Sequence, residues 1–169
     1  MRYTLLILSA VALVAACTQP KPAAPAASSV VSYSAEAEFD TVRDELHDAI
    51  LAKGLVIDST QFIAKMLERT GKDVGSTKPI FTEGRGQAFS FCSAVISRKT
   101  MEAEVHNIAF CPYTLVVYNT VAEPKKIYVA YRRPVLNEGS DAAKAALKEV
   151  ETLLDGIARE ALRVKDTAK

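Results

Sequence analysis

The sequence predicts an α+β domain in which helices pack on one side of a mainly antiparallel sheet. Three observations carry the prediction. Apolar residues recur at helical spacing in segments near the start, middle and end of the chain. Between them lie β-branched and aromatic runs with a period of two. The last two runs are separated by a turn around Glu123-Pro124, so they form a hairpin, and a long amphipathic stretch follows it.

In chain order, Phe39, Val42, Leu46, Ala49 and Ile50 line one face of a first helix, about Glu36 to Lys53, with Gly54 placed to cap its end. Leu55 to Ser59 reads as a short strand. Ile63, Met66 and Leu67 mark one side of a shorter helix, Gln61 to Thr70, that stops at Gly71. Asp73 to Gly86 contains Gly75, Pro79, Gly84 and Gly86 and predicts a long connection with a brief extended piece at Ile80-Phe81. Connections of that length in compact domains are often functional or mobile. Gln87 to Cys92 alternates, Phe89 and Phe91 against Ala88, Ser90 and Cys92, which makes it a strand. Ser93 caps a helix running to about Glu104. Phe110 to Asn119 and Lys126 to Arg133 are the hairpin strands, and Pro134, having no N–H to donate, ends the ladder. Ala143, Leu147, Val150, Leu154, Ile157 and Ala161 then step by fours and threes. They predict a long C-terminal helix across the sheet, N-capped by Ser140 or Asp141.

The chain opens differently. Arg2 precedes the apolar runs Leu5 to Leu8 and Ala10 to Ala16, and Val14-Ala15-Ala16-Cys17 closes them. Residues 1–16 therefore read as a secretory leader, too short to span a bilayer as a permanent helix. The small-small-Cys ending resembles the lipobox of bacterial lipoproteins. It implies lipidation of Cys17 with a diacylglycerol and an amide-linked chain such as palmitate, and Thr18 in the following position favours the outer membrane, facing the periplasm. Each buried methylene contributes about 0.8 kcal/mol, so several chains anchor stably. Residues 17–33 form a Pro, Ala and Ser tether, residues 34–164 a single domain large enough to bury a core, and residues 165–169 a flexible tail. Without the leader, twenty basic residues balance twenty acidic ones. No basic cluster exceeds Lys125-Lys126 or Arg132-Arg133, so nucleic acid is not an expected partner.

The segments MLERTGKDVGSTKP (Met66 to Pro79), FSFCSA (Phe89 to Ala94), HNIAFCPYTLVVY (His106 to Tyr118) and IYVAYRRP (Ile127 to Pro134) resemble the domain of unknown function 302 family over roughly residues 36 to 136. The resemblance implies a single-copy, TATA-binding-protein-like α+β fold. It brings no DNA-binding role and no activity with it.

Once Cys17 is acylated, Cys92 and Cys111 are the remaining thiols, and an even remainder in an oxidising compartment suggests a pair. Both lie at strand ends, where the sulfurs meet if the strands are neighbours. The pair reads as a structural disulfide, as two buried free thiols, or as a reactive site in which the dipole of the following helix makes Cys92 more thiolate-like. His106, five residues before Cys111, is a weak third ligand for a soft metal, although the spacing matches no zinc signature. Arg132 and Arg133 alternate across a strand, so they read either as two solvated charges blunting a strand end or as a pair of which at most one joins a given pocket, where it would grip a carboxylate, sulfate or phosphate. Tyr113, Tyr118, Tyr128 and Tyr131 on the hairpin read as core or as pocket wall, and Tyr113 is the candidate ligand contact among them. His47, beside Glu45 and Asp48, reads as a surface residue. No Ser-His-Asp order, nucleotide loop or paired-carboxylate signature is present, and no cofactor is implied.

These features describe a membrane-anchored periplasmic lipoprotein whose domain is a binding or accessory module for a small anionic or sulfur-containing ligand or for a protein. The alternatives are a thiol-dependent redox or sulfur-compound-handling protein using Cys92 and Cys111, and an envelope structural protein whose contact face is the C-terminal helix.

Overall fold

The computed structural model describes residues 28–136 and 138–163. The leader, Cys17 and the tail 165–169 lie outside the described residues. The chain enters through strand β1 (Val30–Glu36), in which Val31, Tyr33 and Ala35 turn inward and the residues between them outward. This strand takes residues 30–33 from the expected tether. A strand with serine at two of its outward positions, Ser32 and Ser34, has the composition of a linker, and only its period distinguishes it. Helix α1 (Phe39–Ala52) follows and ends before Gly54, which takes the left-handed conformation at φ +71°. Then come β2 (Val56–Gln61), α2 (Ile63–Thr70), β3 (Phe81–Cys92) and α3 (Ala94–Ala103). A short 3₁₀ helix (Val105–Phe110), β4 (Tyr113–Thr120), β5 (Lys126–Arg132) and α4 (Asp141–Ala161) complete the domain.

All pairings are antiparallel, in the order β1-β5-β4-β3-β2. The central strands send Phe89, Phe91, Tyr113, Leu115, Val117, Ile127, Val129 and Tyr131 to one face, where α1 and α4 cover them. Each such side chain contributes about 1.5–3 kcal/mol by leaving water. Ser140 N-caps α4, its Oγ accepting from the Ala143 N–H at 3.1 Å. Val150, Leu154 and Ile157 are buried, so the helix expected to offer a contact face to the envelope has that face against the core. At its polar edge, Asp155 Oδ1 accepts from the hydroxyls of Tyr33 and Tyr131, and Oδ2 from Arg159 Nε at 2.7 Å, which pins α4 to β1 and β5.

Strand β3 starts earlier than its sequence suggests, because Gly84 and Gly86 lie within it rather than in a loop. A Cβ on Gly86 would stand 3.0 Å from the Ala64 Cβ of α2. The glycine is what lets α2 lie directly on the strand. Among the described residues no helix is long and apolar enough to cross a membrane.

Candidate functional site

The register that sets Phe91 opposite Tyr113 brings the end of β3 to the start of β4. Cys92 and Cys111 therefore meet at this sheet end, half-buried and within hydrogen-bond reach of one another as free thiols. The Cys111–Pro112 peptide is cis.

The expected helix-dipole activation of Cys92 is absent. Burial, then the neighbouring Cys111 and more distant Asp58, push the Cys92 thiol up to about 11, and the Tyr113 backbone N–H donating to its sulfur is too weak to reverse this. The cause is positional. Ser93 occupies the N-cap of α3, its Oγ accepting from the Ile96 N–H at 3.4 Å, so Cys92 sits one residue outside the cap, in the ladder. Such a thiol stays protonated at neutral pH.

Ser97 of α3 joins the cluster, its Oγ 3.3 Å from Cys111 Sγ and 3.1 Å from the Tyr113 hydroxyl. Burial also raises Tyr113, against the lowering effect of its bonds to Ser97 and Thr100. Thr100 Oγ1 donates to the Ser97 carbonyl at 2.8 Å, and buried Asn107 donates to the Thr100 carbonyl at 3.0 Å, which braces the 3₁₀ helix against α3. The Cys111 thiol and the Tyr113 phenol thus share one serine hydroxyl, with Cys92 beside Cys111.

Beyond Tyr113 the sheet end opens into a hollow of about 230 Å³, walled by Phe110, Pro112, Thr114 and Pro134 with Val150 and Leu154 of α4. Both Arg132 and Arg133 line it, contrary to the expectation that strand alternation admits one. The rule fails because β5 ends at Arg132, so Arg133 stands past the strand, where alternation no longer applies. The arginines nevertheless differ. Arg133 Nε stands 3.0 Å from Glu151 Oε1, an ionic contact without hydrogen-bond alignment, and Glu151 also accepts from Lys148 at 2.8 Å. Arg132 is exposed and has no ion-pair partner among the described residues.

His106 is not part of this assembly. The 3₁₀ turn leaves it exposed with its N–H bonded to Glu104 Oε1 at 3.1 Å. Among the described residues no three His, Cys, Asp or Glu side chains gather as metal ligands, so the anticipated Cys92, Cys111 and His106 site does not form. His47 keeps an exposed side chain, as expected, its Nδ1 3.1 Å from Asp48 Oδ1 and its ring edge-on to Phe89 at 6.0 Å. Ser97, Thr100 and Thr114 went unread in the sequence. A single hydroxyl on a helix or strand has no period to mark it.

No family model matches the sequence, and no curated protein matches it. Among solved structures, the uncharacterised conserved protein DUF302 from Bacillus stearothermophilus aligns with 80% of this chain and 99% of its own, with a TM-score of 0.63 and 14% identity. The fold is DUF302-like. At that identity the likeness concerns the backbone path: a five-stranded antiparallel sheet, helices on one side and a closing C-terminal helix.

Proposed function

We propose that this protein is a lipid-anchored module of the cell envelope that binds a small anionic ligand at the sheet end formed by Tyr113, Arg132 and Arg133. In this reading Cys17 carries the acyl chains, the outer membrane holds them, and the domain works in the periplasm. The observation that supports it is the contrast between the arginines: Glu151 neutralises Arg133, whereas Arg132 brings an uncompensated guanidinium to a concave wall. That arrangement suits a carboxylate, sulfate or phosphate. The volume of about 230 Å³ lies below the range of about 300–1,000 Å³ for drug-sized ligands, so the ligand has few heavy atoms. Calorimetric titration with acetate, sulfate, thiosulfate and inorganic phosphate tests this. Arg132→Ala should weaken the binding anion by about 10- to 100-fold, the loss of a charged hydrogen bond. Equal affinity in the two proteins would rule the site out.

The adjacency of Cys92 and Cys111 supports a second reading, thiol–disulfide exchange. The two thiols would form one S–S bond while an incoming disulfide is reduced to two thiols. The raised Cys92 thiol makes the attack slow at neutral pH. Incubation with oxidised glutathione should yield a protein lighter by the mass of two hydrogens and more stable by about 3 kcal/mol. Two thiols surviving that treatment would sink the idea.

A further inference from the structure

Helix α2 is packed inside out. It meets the sheet through Ala64, its one buried residue, and through Glu68, whose Oε1 accepts from the Gly84 N–H at 2.8 Å. Lys65 lies over Gly84 with its methylene carbons. At 3.6 residues per turn, Phe62, Ile63, Met66 and Leu67 fall on the opposite side, in an arc of about 140°. Phe62 is 47% exposed, Met66 42% and Leu67 38%. The loop after the helix adds Val74 and Ile80, both exposed, and between helix and loop opens a hollow of about 350 Å³ walled in part by Leu67, Val74, Pro79 and Ile80. Around this surface stand Lys65, Arg69, Lys72 and Lys78, against Glu68 and Asp73.

We propose that α2 and residues 71–80 are the face with which the protein lies on an anionic phospholipid surface. The apolar arc enters the headgroup boundary, and the basic side chains meet lipid phosphates. The proposal takes its setting, but not its geometry, from the lipid-anchor reading. Charge decides the occupant. A second copy docking symmetrically would set the same basic residues against themselves, whereas an anionic surface complements them. Reach permits it: the thirteen peptide links from Cys17 to Val30 can span at most about 45 Å. The five-stranded sheet that separates β1 from the β2 edge is only about 19 Å wide.

The chain contains no tryptophan, so Met66→Trp creates a single reporter and Val95→Trp, exposed on α3 beyond the far end of β3, a control. Each full chain, isolated as the cell processes it, is mixed with phosphatidylglycerol–phosphatidylethanolamine vesicles brominated on the acyl chains. Emission at position 66 should shift to the blue and fall at least twofold, with no change at position 95 and a weaker effect in phosphatidylcholine. Adding Phe62→Ser and Leu67→Ser to Met66→Trp should abolish the quenching and leave Tm unchanged, because both positions are exposed. Equal quenching at 66 and 95 overturns the proposal. So does a blue shift at 66 that grows with protein concentration in buffer alone, which would assign the face to a second copy. The intact mass separately reports acylation of Cys17. An unmodified mass would defeat the anchor while the vesicle assay still judges α2.

Discussion

Helix α4 presses Leu147, Val150, Leu154 and Ile157 against the sheet, whereas α2, also amphipathic, turns Phe62, Met66 and Leu67 to solvent. Periodicity reveals that a helix has an apolar side, but topology decides what covers it. The chain delivers α4 behind the central strands, where α1 and α3 flank it. It delivers α2 past the end of β2, where two glycines of β3 admit the helix on its narrow Ala64 side. Equivalent patterning therefore stabilises the core in one place and leaves a surface free in the other.

The largest effect that tests this contrast is truncation. Ile157→Ala should cost about 2–5 kcal/mol in urea unfolding, because it opens a cavity in a packed core. Leu67→Ala should stay within about 0.5 kcal/mol, as exposed substitutions do. Equal losses would mean that the face of α2 is buried in solution.

Asp155 comes next. Burial pushes its carboxyl up, but the hydrogen bonds from Tyr33, Arg159 and Tyr131 outweigh it and hold the group below the ordinary carboxylate range. Asp155→Asn should cost about 1.5–3 kcal/mol at neutral pH, the scale of bonds to a charged group. A folded-state pKa below the unfolded value of about 3.9 means that the unfolded chain binds more protons between the two. The contribution is complete above that unfolded value and fades as pH falls through the folded one. Acid unfolding followed by circular dichroism should therefore be shallower in Asp155→Asn.

Gly86→Val should cost about 1–3 kcal/mol, since the new side chain meets Ala64 and pushes α2 off the strand. Loss of α2 helicity by hydrogen exchange with the core intact would sharpen the contrast, and global unfolding would blunt it. Lys53→Ala, which removes the exposed pair to Glu160 between α1 and α4, should change stability by less than about 0.5 kcal/mol, measured by thermal melting.

The core was the legible part of the sequence, and the reason is repetition. Six apolar positions in α4 and the alternation of Phe89 and Phe91 state the same partition many times, and the caps at Ser93 and Ser140 fall where a side-chain acceptor is needed. Elements lacking such redundancy were lost. β1 resembles its tether in composition, and Gly84 and Gly86 look like loop punctuation although a helix requires them inside a strand. At the candidate site, the meeting of Cys92 and Cys111 followed from two strand ends. The protonated state of Cys92 did not, because it depends on burial and on which residue holds the cap. The shared hollow of Arg132 and Arg133 was hidden for a related reason: alternation describes the middle of a ladder and not its end.

Strand β1 gives the N-terminal linkage a mechanical character. It is an edge strand joined to β5 by seven residue pairs, from Val30 opposite Arg132 to Glu36 opposite Lys126, and the chain enters at Val30. Backbone hydrogen bonds of an antiparallel ladder run perpendicular to the strands. A force drawn along β1 from its N-terminal end would load those bonds in parallel, as shear, so that they yield together and not one after another. The first strand of the domain is thereby its force-bearing clasp.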